Sequence, residues 1–240
     1  MTIISKKLAS SFKKCDRKQD DFNQCLVTAV QDAIRQLEKP FPEVGLPSLE
    51  PIGTSHLTVA PGPKVFQVQQ SYKNFNNFGF TTAKISKFEV NFENNIINME
   101  FTVPELRIEY NYEYFGKVLS VPIRGAGPGH VILKDANFIV TFDLEEYQKD
   151  DKKFFKVVDS KVILTMKKMT LNLENLVPTD KGTGLGLNNL VDPNKLINDN
   201  WQIVYEEVHN GYEKFYAEAF ATIFNDLLGN VSISELFGEE

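Results

Sequence analysis

Between about Thr54 and Leu173, apolar side chains return at every second position in one stretch after another. In RIEYNYEY, Ile108, Tyr110, Tyr112 and Tyr114 alternate with Arg107, Glu109, Asn111 and Glu113. Ile97, Met99, Phe101 and Val103 share one face of the strand before it. Ala136, Phe138, Val140, Phe142 and Leu144 alternate with polar residues. Val162, Leu164 and Met166 continue the pattern, and Met169, Leu171 and Leu173 resume it after a slip at Lys167–Lys168 that reads as a bulge. A period of two is that of a strand. Strands with one apolar and one polar face belong to antiparallel sheets with one side covered; doubly covered parallel strands would be apolar throughout. The chain must therefore cover one long greasy face.

A cover follows. Asp192 and Pro193 make an N-cap and first-turn pair. From Ile197 to Leu227 apolar residues recur at threes and fours, including Trp201, Tyr205, Val208, Tyr212, Phe215 and Phe220. This predicts a single helix of about 50 Å, ended by Gly229, with a stripe too broad for a coiled-coil seam. Ser232 and Glu235 have capping-box spacing for a short last turn. A first helix is expected over about Phe22–Lys39, with Asp21 and Gln24 as its capping box. Pro40 stops it, and Pro42, Pro47 and Pro51 mark an extended connector. Strands followed by a long helix, without alternation, predict an α+β fold with residues 1–240 as one domain.

A net charge of −6 and a pI of about 5.3 argue against a nucleic-acid partner. No apolar run is long enough for membrane insertion. MTIISKKLASSFKKC lacks the apolar stretch and cleavage site of a signal peptide, as a mature secreted chain would. Cys15 and Cys25 stand ten apart. A disulfide is the simpler reading and favours an oxidising compartment; two unconnected buried thiols are the alternative. An N-V-S sequon at Asn230 fits secretion. His56, His130 and His209 are scattered without metal-ligand spacing, so no metal is expected.

Motifs for chemistry are sparse. SVPIRGAGPGHV sets Gly125, Gly127 and Gly129 beside Arg124. A phosphate cradle needs a helix directly after its glycines, and here a strand follows, so a bulged corner is the expectation. GTGLG, Gly182 to Gly186, precedes a helix but lacks the phosphate-loop spacing. There is no G-x-S-x-G and no H-E-x-x-H. Asp143, Glu145, Glu146, Asp150 and Asp151 read as a solvated hairpin tip. No catalytic residue and no cofactor is assigned. Lys134 falls on the parity of the apolar face, just after the glycines. Either it or Arg124 meets a ligand's polar head, or each is a side chain snorkelling at a strand end.

Five segments, in order, resemble the insect takeout and juvenile hormone-binding protein family: CDRKQDDFNQCL, PEVGLPSLEPI, YKNFNNFGFTTAKISKFEV, YFGKVLSVPIRGAGPGHVIL, and LINDNWQIVYEEV with FATIFNDLL and ISELF. The C-terminus is closest to the takeout-like branch. The resemblance implies a strongly curved antiparallel sheet rolled around the C-terminal helix (a super-roll), with a hydrophobic tunnel between them. It implies a secreted, extracellular, monomeric carrier whose partner is a small elongated hydrophobic ligand such as a terpenoid or fatty acid. The tunnel lining expected from the sheet is Phe88, Val90, Met99, Phe101, Val103, Tyr110, Tyr112, Lys134, Phe138, Val140, Phe142, Val162 and Leu164. From the helix it is Trp201, Tyr205, Val208, Tyr212, Phe215 and Phe220. The alternatives are an esterase-like enzyme acting on such a lipid, and an interaction protein with a solid core.

Overall fold

The computed structural model describes residues 7, 8, 11–179 and 191–239. The GTGLG segment lies outside them. Helix α1 (Phe22–Gln36) precedes strands β1 (Ile52–Val59), β2 (Phe66–Phe78), β3 (Lys84–Asn91), β4 (Ile96–Val118), β5 (Val121–Lys149), β6 (Lys152–Thr165), β7 (Lys168–Leu173) and β8 (Val177–Pro178). Helices α2 (Pro193–Asp199), α3 (Trp201–Leu228) and α4 (Ile233–Phe237) follow. The sheet is antiparallel and runs β1-β2-β4-β5-β6, with β3 on β4 and with β7 and β8 on β5. This is the α+β curved sheet with a C-terminal helix that the patterning and the resemblance predict.

Two strands carry the architecture. β4 and β5 pair from the Leu119–Ser120 turn to Ile96 and Asp143. They share one crease, where Val103 faces Ala136 and Glu105 faces Lys134, leaving Pro104 and Asp135 between. Pro104 has no N–H to give to the ladder, and Asp135 takes a left-handed φ of 48°. On both strands the inward parity flips at this point. Met99, Phe101 and Val103 point in before it, and Leu106, Ile108 and Tyr110 after it. The slip at Lys167–Lys168 falls on the same line, since β6 pairs with β5 above the crease and β7 below it. It is a break between two strands rather than a bulge.

This crease corrects the reading of Lys134. Its parity matches Phe138 and Val140 only if the strand is unbroken. The flip at Asp135 turns Lys134 outward, where it forms an ion pair with Glu105. Arg124 is exposed as well. The glycines are also not a corner, because β5 passes straight through them. Their role is steric. A Cβ on Gly125 would sit 2.6 Å from Tyr112 Oη, and one on Gly129 2.5 Å from Tyr110 Cε2, so bare backbone makes room for the inward tyrosines of β4. Of the acidic residues expected at one hairpin tip, Asp150 and Asp151 form the two-residue turn, at φ of 50° and 60°, whereas Asp143, Glu145 and Glu146 are exposed within β5.

The expected 50 Å helix is two helices. Asn200 interrupts it, donating its amide to Leu196 O at 2.8 Å in place of regular helix geometry. Asp192 caps α2 as expected, accepting from Asn194 and Lys195. Gly229 ends α3 in a right-handed conformation, not as a left-handed cap. In α1, Asp21 does not cap; its carboxylate is held by Gln19 Nε2 at 2.7 Å. The helix stops at Gln36, before Lys39, because Leu37 is drawn away, its C=O accepting from Leu49 N–H at 2.8 Å.

α3 closes the roll by touching both sheet edges. On the β1 side, Gly211 lets Val59 approach; a Cβ there would meet Val59 Cγ1 at 2.7 Å. On the β6–β7 side, helix side chains act as a surrogate strand. Asn194, Asn198 and Asn225 bind both backbone groups of Leu173, Leu171 and Val157 respectively. Glu213 and Tyr205 do this jointly for Leu164. On α1, Gln31 spans Ala83 O and Ile85 N in the same way. An open edge is a pairing hazard, and here amide side chains occupy it.

Candidate ligand-binding interior

The larger internal space is a cavity of about 180 Å³ between α1, strands β3 and β4, and the C-terminal end of α3. Its walls include Leu26, Val30 and Ile34 from α1, Phe88, Met99 and Phe101 from the sheet, and Phe220, Phe224 and Leu227 from α3. Leu8, Phe12 and Cys15 cover it from the N-terminal arm. That arm is fastened at several points, among them the contacts of Leu8 N–H and Lys14 with Glu235. Cys15 is bonded to Cys25 of α1, and Arg17 binds the backbone carbonyls of Phe237 and Gly238. Among the described residues of the lining, Lys13 is the only charged one, and it is exposed.

A second cavity, of about 60 Å³, lies across the crease, between β2, the tyrosine half of β4 and the N-terminal half of α3. Among the described residues, no charged side chain lines it. The Tyr72 hydroxyl lies within hydrogen-bonding distance of the Tyr114 and Tyr212 hydroxyls, and Gln70 Oε1 accepts from this cluster, 3.0 Å from Tyr72 Oη and 2.7 Å from Tyr212 Oη. Burial pushes the Tyr72 and Tyr114 hydroxyls well above their ordinary value, and Tyr212 up to about 12. The cluster is therefore uncharged at physiological pH.

An aromatic wall separates the two spaces. Tyr216 lines the smaller cavity, and Phe80 and Phe220 line the larger. Their rings lie 6.3 Å (Phe80–Tyr216) and 5.9 Å (Tyr216–Phe220) apart. Phe138 packs on both Tyr216 and Phe220, at 5.1 and 5.7 Å. Phe215 bridges Phe75 and Tyr216 at 5.2 and 5.1 Å. The Tyr216 hydroxyl is anchored on Asn77 Oδ1 at 2.7 Å.

The residues expected to line a tunnel fall into five groups. Phe88, Met99, Phe101 and Phe220 line the larger cavity, and Tyr110, Leu164, Tyr205, Val208 and Tyr212 the smaller. Val103, Tyr112, Phe138, Val140, Phe142, Val162 and Phe215 are buried without lining either. Val90 and Trp201 are half-buried, also away from both, and Lys134 faces water. The α1 wall and the N-terminal arm are absent from that expectation, although the helical stripe of α1 is plain in the sequence. Gln70 is absent as well; its signal is a polar residue on the inward parity of Phe66, Val68 and Tyr72.

Reactive groupings are few. Ser55 Oγ lies 3.2 Å from His56 Nδ1, exposed on β1 and away from both cavities. His209 pairs with Glu213 at 2.9 Å. Among the described residues no group of three or more His, Cys, Asp or Glu side chains could hold a metal ion. No helix among them is long and apolar enough to cross a membrane.

Comparison with known proteins agrees with this architecture. Residues 1–238 match the family model described as haemolymph juvenile hormone binding protein. The circadian clock-controlled protein daywake of Drosophila melanogaster is 23% identical over 240 residues, covering 96% of this chain and 88% of that protein. Its Drosophila yakuba counterpart is 23% identical over 239 residues, with the same shares covered. The crystal structure of Epiphyas postvittana Takeout 1 superposes with a TM-score of 0.78 at 19% identity, covering 95% of this chain and all of that one.

Proposed function

Because this chain belongs to the haemolymph juvenile hormone binding protein family, we propose that it is a carrier that sequesters a small elongated hydrophobic molecule, such as a terpenoid or fatty acid, without making or breaking a bond. One observation carries the reading: the apolar cavity of about 180 Å³ behind the N-terminal arm. An engineered apolar cavity of about 150 Å³ is enough to hold a benzene ring. A hydrocarbon that enters it gains about 0.8 kcal/mol per buried CH₂.

An elongated ligand would start in the larger cavity and reach the smaller when the rings of Tyr216 and Phe220 turn aside, joining the two into the tunnel of this reading. The Cys15–Cys25 disulfide suits an oxidising compartment and so supports the reading of an extracellular carrier. The test is organic extraction of natively purified protein with mass spectrometry, together with displacement of a fluorescent lipid probe. A co-purifying lipid and saturable displacement are expected. Absence of both would overturn the reading, as would turnover of lipid esters dependent on a residue of either cavity.

A further inference from the structure

Among the described residues, one buried side-chain polar atom has no hydrogen-bond partner: Nε2 of Gln70. The residue is 1% exposed. Its Oε1 is occupied by Tyr72 and Tyr212, so the two N–H groups of the amide remain. Gln70 lines the smaller cavity, and no described residue lining that cavity is charged. A buried donor left unpaired is costly, whereas an apolar residue of the same shape would not be. The surrounding tyrosines fix the amide by its oxygen and leave its nitrogen free.

We infer that the smaller cavity seats the polar end of the ligand, an uncharged oxygen acceptor such as a ketone or ester carbonyl bound by Gln70 Nε2, with the hydrocarbon directed through the aromatic wall into the larger cavity. This rests on the carrier reading and narrows it. A carboxylate here would be a buried charge without a counter-ion, which is strongly disfavoured. Lys134, the cation that sequence parity places inward, is outside.

The experiment compares a long-chain methyl ketone, the alkane of equal length and the corresponding fatty acid anion as competitors of a bound phenylnaphthylamine probe. The wild type is expected to prefer the ketone over the alkane by roughly tenfold, the worth of one buried hydrogen bond. Gln70→Leu is expected to bring the two within about twofold of each other. In the wild type, the Gln70 side-chain amide resonance should shift with ketone and not with alkane, a readout that needs no variant to fold. Equal binding of alkane and ketone, with a stationary resonance, overturns this inference and leaves the carrier reading standing. A preference for the anion overturns it too. Binding of none of the three overturns both.

Discussion

The side-chain amide of Asn198 meets both backbone groups of Leu171, accepting from its N–H at 2.8 Å and donating to its C=O at 2.9 Å. It does for that residue what a neighbouring strand would do. Replacing it with Leu of similar size leaves both groups unmatched, so Asn198→Leu is expected to lower stability by about 1–3 kcal/mol and to promote association through the bared edge. Urea unfolding and light scattering check both parts. A change within about 0.5 kcal/mol would show the edge to be solvated instead.

Glu207 of α3 holds the β1–β2 turn, accepting from the N–H groups of Lys64, Val65 and Phe66. Partial desolvation works against its charge, but the three N–H donors outweigh it and keep the carboxyl below its ordinary range. A depressed carboxylate stabilises the fold above the unfolded-state pKa and loses that effect as pH falls. Glu207→Ala should therefore destabilise by about 1 kcal/mol near neutrality, the figure being reduced for solvent screening. The difference from wild type should shrink as the pH drops below the ordinary value of 4.5. Urea midpoints for the two proteins across that range are the measurement.

The tyrosines of the smaller cavity set an upper pH limit. Burial takes Tyr212 from its ordinary 10.0 to about 12, and raises Tyr72 and Tyr114 well above that ordinary value too. The unfolded chain ionises near 10.0 while the folded one keeps its protons, so stability falls as pH rises from about 10 to about 12. Tyrosinate absorbance should appear together with loss of tertiary structure. Absorbance that rises near 10.0 in protein still folded by circular dichroism would contradict the burial of these hydroxyls.

Gly129→Ala should destabilise by about 1–3 kcal/mol, because the added carbon meets the Tyr110 ring at 2.5 Å and Leu173 Cδ2 at 2.7 Å. Combining it with Tyr110→Leu should recover part of the loss, since the two residues compete for one space. A double-mutant cycle with no coupling would refute this account of the glycines.

Reducing Cys15–Cys25, which spans a sequence separation of 10, is expected to cost roughly 2–3 kcal/mol. Since Cys15, Phe12 and Leu8 cover the larger cavity, reduction should also speed release of a bound fluorescent lipid. Stopped-flow dissociation with and without reductant separates the two effects.

Alternation in β4, β5 and β6 made the sheet readable, and the stripe of α3 made its cover readable. Lys134 was misread because parity carries no mark of where it flips; only Pro104, on the neighbouring strand, hints at the crease. The break at Asn200 depends on one side chain preferring the Leu196 carbonyl, which helical periodicity does not register. The division of the interior by Phe80, Phe138, Tyr216 and Phe220 is a matter of ring placement between distant elements, invisible to any local pattern. Gln70 was visible as a polar residue on an inward parity, but its unpaired nitrogen emerges only once Tyr212, far along the chain, is brought beside it.

The long β4–β5 ladder also bears on how the chain folds. The two strands, of 23 and 29 residues, meet at the tight Leu119–Ser120 turn. The most extensive pairing in the molecule thus begins with the smallest possible loop, and each later rung closes no further large loop. Loop entropy therefore favours zippering outward from that turn, through Pro104 and Asp135, over any nucleus that must first close a long loop. The remaining elements of the sheet and α3 pack against this ladder or its neighbours, so a substitution at the Leu119–Ser120 turn is expected to slow folding more than one at the sheet edges.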